Sequence, residues 1–122
     1  MTIKRIHSGS AFEAKIGYAR AVVAGGFVHV AGTVGQGDTV AAQCADALDT
    51  IGAALVQAGS GWDKVVRVTY MLPDATEFEA CWPTLQAAFG DNPPAATMIE
   101  CGLIDPKYRI EIELTALAPQ GG

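Results

Sequence analysis

The segment Arg109-Ile110-Glu111-Ile112-Glu113-Leu114-Thr115 alternates strictly between apolar and polar residues. A period of two puts Ile110, Ile112 and Leu114 on one face of a strand, and Arg109, Glu111, Glu113 and Thr115 on the other. Two carboxylates can share a strand face only where it meets water, a paired cation or a site, because an unpaired buried charge is costly. The apolar face needs a covering layer from elsewhere in the chain. The charged face has two options: open solvent, as on an edge strand whose charges discourage further pairing, or the lining of a cleft made with a second subunit.

The covering layer is legible in two amphipathic stretches. Val40, Cys44, Ala47, Leu48, Ile51, Ala54 and Leu55 recur at helical spacing from an N-cap at Asp38 or Thr39 to Ala58, with Gly59 as the stop and Gln43, Asp46 and Asp49 on the wet face. Phe78, Cys81, Trp82, Leu85 and Phe89 give a second helix. Asp74 and Glu77 are spaced as a capping pair at its start, Gly90 ends it, and Pro83 predicts a kink near Glu79. Strands are expected over Ile3–His7, Ile16–Ala24, Phe27–Ala31, Lys64–Leu72, Ala95–Cys101 and Arg109–Ala118. Gly25-Gly26 supplies a hairpin turn. Ala11–Lys15 reads as connecting chain, Gly32–Gly37 as a glycine-rich loop without a nucleotide-binding pattern, and Pro119–Gly122 as a loose end.

The order β-β-β-α-β-α-β-β implies an α+β fold, a single mixed sheet with two helices on one face, in one domain spanning 1–122. Val66, Val68, Tyr70 and Leu72 form an apolar face of their strand, while Val65 and Met71 flank Arg67 and Thr69 on the other. No helix remains for that second face, so subunit association is expected to cover it. Only 17% of residues are charged, which fits surface lost to an oligomer. The net charge of −5, without a basic cluster, gives no footing for nucleic acid or an anionic membrane.

Cys44, Cys81 and Cys101 are odd in number and dispersed, which excludes a disulfide framework or a local metal knuckle; no metal or cofactor is expected. The first residues lack the apolar run of a signal peptide, and no stretch reaches membrane-span length, so a reducing cytoplasmic setting is expected.

Gly17-Tyr18-Ala19-Arg20-Ala21-Val22 and Val28-His29-Val30-Ala31-Gly32-Thr33, with Pro94-Ala95-Ala96-Thr97-Met98 and Ile110-Glu111-Ile112-Glu113, resemble in order and spacing the motifs of the reactive intermediate deaminase (Rid) family, also called YjgF/YER057c/UK114. The resemblance covers nearly the whole chain. It implies a chorismate-mutase-like fold, a homotrimer with clefts between subunits, and hydrolysis of reactive imines and enamines to ketoacids and ammonia. By position, it puts Tyr18 on the cleft wall and Gly32 in a ligand-binding loop, flanked by Ala31 and Thr33. It puts Glu113 on the carboxylate that positions and activates water. Ala96 falls where deaminases carry an arginine for the substrate carboxylate, Met98 where many carry cysteine, and Trp82 where many carry asparagine. These departures imply a small, fairly apolar substrate that need not carry a carboxylate.

The residues admit competing roles. Glu113 fits catalysis or an ion pair with Arg20, Arg67 or Arg109, whereas Glu111 fits a structural or interface role. Tyr18 fits a ligand contact or a buried interface residue. Arg20, on the same expected strand face as Tyr18, either reaches the cleft in place of the missing arginine or pairs with Glu111 or Glu113. Thr33 either donates to substrate or caps its loop, and His29 fits a satisfied strand histidine or a proton carrier. Two functions follow: a Rid-like enzyme acting on C=N bonds, or a non-enzymatic small-molecule-binding, regulatory or chaperone-like protein using the same pocket. Ribonuclease activity, a third possibility attached to the family, is opposed by the acidic balance.

Overall fold

The computed structural model describes residues 2–119. Its elements are β1 (Lys4–Ile6), α1 (Ala11–Ile16), β2 (Ala21–Ala24), β3 (Phe27–Val34), α2 (Val40–Gln57), β4 (Val65–Leu72), α3 (Trp82–Phe89), β5 (Ala95–Glu100) and β6 (Glu111–Leu117). Short 3-10 turns at Trp62–Lys64 and Ala75–Cys81 precede β4 and α3. Six strands form one mixed sheet in the order β1-β2-β3-β6-β4-β5, in which only β4 and β5 are parallel. The α+β sheet with helices on one face is as the sequence indicated, with a third short helix added.

The alternation in the last strand sets the core. Ile112, Leu114 and Ala116 are buried, with Val28 and Val30 of β3 and Val68, Tyr70 and Leu72 of β4 on the same face. Cys44, Ala47, Leu48, Ile51 and Leu55 of α2, with Cys81, Leu85 and Phe89, close that face from above. On the other face, Glu113, Arg67 and His29 stay exposed, and Glu111, Thr115, Thr69 and Met71 are half-buried. Cys44 and Cys81 sit in helical segments and Cys101 just beyond β5; all three are free thiols.

Several sequence expectations are corrected. Residues 11–16 are helical: Ser10 caps the first turn by accepting from Phe12 N, and Gly17 ends the helix at φ 94°. The expected strand Ile16–Ala24 therefore shrinks to Ala21–Ala24, and Tyr18 and Arg20 lie on the connection into it. Strand β3 runs three residues past the expected end, through Gly32 and Thr33. Thr39, rather than Asp38, caps α2. Pro83 does not kink a long helix. It sits in the first turn of α3, where its missing N–H has no intrahelical partner to lose. Glu77 binds Arg109 instead of closing a capping pair with Asp74, which accepts from Thr76 N.

Val65 and Val66 exchange faces. A bulge between Val65 and Arg67, opposite Thr115 and Ala116, adds one residue to β4 and reverses the alternation before it. Val65 is buried and Val66 is 41% exposed. Gln43, expected on the wet face of α2, is buried: its amide donates to the carbonyls of Gly37 (3.1 Å) and Lys107 (3.0 Å) and accepts from Arg109 N (2.8 Å). That clamp fixes the approach to β6.

The register gives a direct test. Leu72→Ala empties a fully buried position and should cost about 2–5 kcal/mol in urea unfolding. Val66→Ala, on the face left uncovered within one chain, should cost less than Leu72→Ala.

Candidate active site

The site begins at a buried ion pair. Glu13 of α1 is 3% exposed and Arg20 is 6% exposed, with the Glu13 Oε2 3.7 Å from the Arg20 Nε. Glu13 accepts bonds from the Ser8 backbone N–H (3.2 Å) and the Ser8 hydroxyl, and its Oε1 lies 2.9 Å from the His7 Nδ1. Burial pushes its carboxyl up, but the bonds from Ser8 and His7 and the charge of Arg20 together outweigh burial, and the group is held below the usual carboxylate range. Glu13 is therefore ionised at neutral pH and compensates Arg20.

The Arg20 guanidinium is a tie between separate segments. Nη1 donates to the Gly32 carbonyl (2.9 Å) and the Thr33 Oγ1 (2.7 Å), and Nη2 donates to the Tyr18 hydroxyl (3.0 Å). The guanidinium carbon lies 5.3 Å from the centre of the Tyr18 ring. Thr33 passes the chain on by donating to the Ala31 carbonyl (2.8 Å). Its hydroxyl thus serves the loop. Arg20 pairs with Glu13, a residue that the sequence did not bring forward, and among the described residues not with Glu111 or Glu113.

The segment so held is a β-bulge. Val30 pairs with Leu114 and Thr33 with Ile112, so Ala31 and Gly32 together oppose Glu113. A Cβ at Gly32 would meet the Glu111 carboxylate, so a larger residue there would have to displace that side chain. Glu111 is half-buried and makes no hydrogen bond among the described residues. Burial and the neighbouring Glu113 push its carboxyl up, against a smaller opposing pull from Arg20. A partly desolvated carboxylate of this kind can exchange a proton with water or an amine.

Glu111 opens onto a cavity of about 620 Å³, lined also by Tyr18, Arg20, Ala31, Gly32, Thr33 and Tyr108. Asp46 and Thr50 of α2 form another part of the wall, and Phe12, Ile16 and Ile104 supply exposed apolar surface. Five expected site residues, Tyr18, Arg20, Ala31, Gly32 and Thr33, thus come together. Glu113 does not line that cavity. It is exposed and lines two more open grooves, one of about 660 Å³ shared with Tyr18, Ala31 and His29, the other smaller and shared with Arg67 and Thr69. The carboxylate facing the cavity is Glu111, which the sequence reading had given a structural role.

Ala96 and Met98 lie on β5, separated from β3 by the two strands β6 and β4. Trp82 is 52% exposed at the start of α3, edge-on to Phe78 at 6.4 Å. None of the three lines the cavity within one chain. His29 is exposed, its Nδ1 3.5 Å from the Thr115 hydroxyl. Among the described residues no group of three or more histidine, cysteine or acidic side chains is placed to hold a metal ion. Among the described residues no helix is long and apolar enough to cross a membrane.

The family model described as Endoribonuclease L-PSP matches residues 8–118. The chain belongs to the Rid (YjgF/YER057c/UK114) family. A crystal structure of the family member Rv2704 from Mycobacterium tuberculosis superposes with a TM-score of 0.92 at 41% identity, covering 96% of this chain and 100% of that one. A RutC family protein of Synechocystis is 31% identical over 98% of this chain and 99% of its own. The 2-iminobutanoate/2-iminopropanoate deaminase of Rattus norvegicus is 30% identical over 98% of this chain and 92% of its own. Members of the Rid family thus include named imine deaminases alongside proteins with other names.

Glu13→Gln should cost about 3–5 kcal/mol at neutral pH, because it leaves the Arg20 charge buried without its counter-ion. A carboxyl lowered in the folded state contributes stability above its unfolded pKa of about 4.3 and loses it as pH falls through the lower folded value. The gap between wild type and Glu13→Gln in denaturant unfolding should therefore be widest at neutral pH and narrow on acidification.

Proposed function

We propose that this Rid-family chain is a homotrimeric hydrolase of C=N bonds. It would act on a small, fairly apolar imine or enamine in a pocket between subunits. The observation that carries the reading is the Glu111 carboxylate, without a hydrogen-bond partner among the described residues, raised in pKa and facing a cavity beside the Tyr18 hydroxyl. The names of relatives support the reaction class, since the rat protein is a 2-iminobutanoate/2-iminopropanoate deaminase.

In the proposed reaction Glu111 takes a proton from water as the water oxygen bonds to the imine carbon. The imine reacts in its protonated form, so the C=N π electrons move to a cationic nitrogen, which becomes a neutral amine on a tetrahedral carbon. Glu111 then returns the proton to that nitrogen, the C–N bond breaks with its electron pair leaving on ammonia, and the carbinol hydroxyl gives its proton through Glu111 to that ammonia as the carbonyl forms. Protonated imine and water become carbonyl compound and ammonium. Tyr18, its hydroxyl oriented by Arg20, would position the polar end of the substrate. General acid–base assistance of this kind is worth about 10²–10⁴-fold in rate.

The trimer is supported by the sheet face that the helices leave uncovered and by the position of β5. Ala96 and Met98 are too remote along the sheet to meet the cavity of their own chain, so their place in the pocket requires a second copy. Ala96 brings neither charge nor donor, which favours substrates without a carboxylate. The word endoribonuclease in the family description finds little support in this chain, whose net charge is −5 and whose cavity wall holds two carboxylates and one arginine.

Ammonia release from freshly generated imines tests the reading. Glu111→Gln should lower turnover by at least about 100-fold, the lower bound for loss of a general base, with unchanged mass in light scattering. Glu113→Gln should keep most activity. The reverse pattern would return the role to Glu113, and tight ligand binding without ammonia release by wild type would favour a binding protein. A monomer in light scattering would remove the intersubunit pocket.

A further inference from the structure

The charge balance of the cavity wall specifies its ligand more narrowly than its shape does. Arg20 is its one cation, and it is already spent. Glu13 compensates its charge, both Nη1 protons go to Gly32 and Thr33, and one Nη2 proton goes to Tyr18. Its Nε is shut off from solvent and has no hydrogen-bond partner. A carboxylate ligand is gripped by two parallel N–H groups free on one side of a guanidinium, and Arg20 cannot present two to the cavity.

The wall's carboxylates are differently placed. Glu111 has no hydrogen-bond donor among the described residues, and Asp46 uses only its Oδ2, which accepts from Gln36 N at 2.8 Å. With Arg20 neutralised locally by Glu13, the charge left facing the cavity is negative. Tyr18 and Tyr108 line the same space, but each ring already meets a cation of this chain, Arg20 at 5.3 Å and Lys107 at 5.1 Å, so the carboxylates rather than the rings carry the preference. Phe12, Ile16 and Ile104 are 51%, 60% and 67% exposed and give an apolar substituent a surface to cover.

We propose that the cavity selects a carboxylate-free organic cation, a primary ammonium or protonated imine bearing a short apolar group, with its nitrogen held by Glu111 and Asp46. This rests on the cavity assigned under the proposed function and names the substrate class. The corresponding hydrolysis balances as protonated imine plus water giving carbonyl compound plus ammonium. Ala96 and Met98, where a neighbouring copy brings them to the wall, would themselves add no charge to it.

Three ligands sharing an isobutyl group, isobutylammonium, isovaleramide and isovalerate, separate cation from neutral and anion in titration calorimetry. Isobutylammonium should bind at least about tenfold tighter than isovalerate, a 1.4 kcal/mol difference, with isovaleramide between and the gap narrowing as salt rises. Asp46→Asn, at an exposed helix position, and Glu111→Gln should each reduce the ammonium affinity more than the isovaleramide affinity. Isovalerate binding as tightly as the ammonium, or no binding of the ammonium at millimolar concentration, overturns the assignment. The two readings fail separately. A cation preference without ammonia release from any imine removes the enzyme and keeps the ligand class. Efficient hydrolysis confined to carboxylate-bearing imines, with isovalerate bound best, does the opposite.

Discussion

The Glu13–Arg20 pair is the interaction on which the site depends. Moving a guanidinium out of water costs several kcal/mol unless its charge and its donors are met. Here one acidic side chain meets the charge, and two backbone and side-chain oxygens of β3 with the Tyr18 hydroxyl meet most of the donors. The result joins three segments distant in sequence: the N-terminal turn at His7 and Ser8, the connection carrying Tyr18, and the Ala31–Thr33 bulge. A hydrophobic contact could have packed these segments together. It could not have set their orientation, because the guanidinium fork has fixed directions and each partner occupies one of them. The price is the unpartnered Nε, left where Glu13 is 3.7 Å away and cannot close a full hydrogen bond.

The bulge then separates two chemically equivalent residues. Glu111 and Glu113 lie two apart on one strand and point to the same side, so in an undistorted ladder they would differ only in what happens to lie above them. One added residue in β3 brings Gly32 against the Glu111 carboxylate and leaves Glu113 opposite the bulge in open grooves. Desolvation raises the pKa of the first. On the far side of the strand, Gln43 holds the residues that lead into Glu111. The carboxylate is thus positioned by backbone geometry rather than by a hydrogen bond to its own oxygens, which leaves those oxygens for a ligand.

What could be read from sequence follows the range of the interaction. The alternation of β6 and the helical spacing in α2 are local patterns, and both survive in the fold. Helix α1 was missed because six residues offer too little periodicity, although Ser10 and Gly17 stand where an N-cap and a stop belong. With residues 11–16 read as connecting chain, the alternation from Ile16 suggests a strand longer than Ala21–Ala24 and a strand face for Tyr18 and Arg20 that the fold does not have. Gln43 looked solvated because a glutamine on an amphipathic helix usually is. Two of its three partners lie 64 and 66 residues away, at the approach to β6. Glu113 and Glu111 are hard to tell apart for a related reason, since a single-residue bulge changes no local pattern yet decides which carboxylate lines which cavity. Tyr18, Arg20, Ala31, Gly32 and Thr33 were found together because motif order preserves what periodicity cannot show.

Stability and selectivity in this molecule draw on one guanidinium. A free arginine in the cavity would favour anions through its charge and its paired donors. Arg20 loses both capacities when it is enlisted to hold the bulge, and Glu13, which makes its burial tolerable, also cancels its field at the wall. The two acidic groups that remain, Glu111 and Asp46, then set the sign of the pocket although only one of them is half-buried. Replacing Arg20 to change the ligand would therefore release the loop that the ligand is meant to meet. Selectivity is more separable at Asp46, an exposed residue of α2 that takes no part in the Arg20 network.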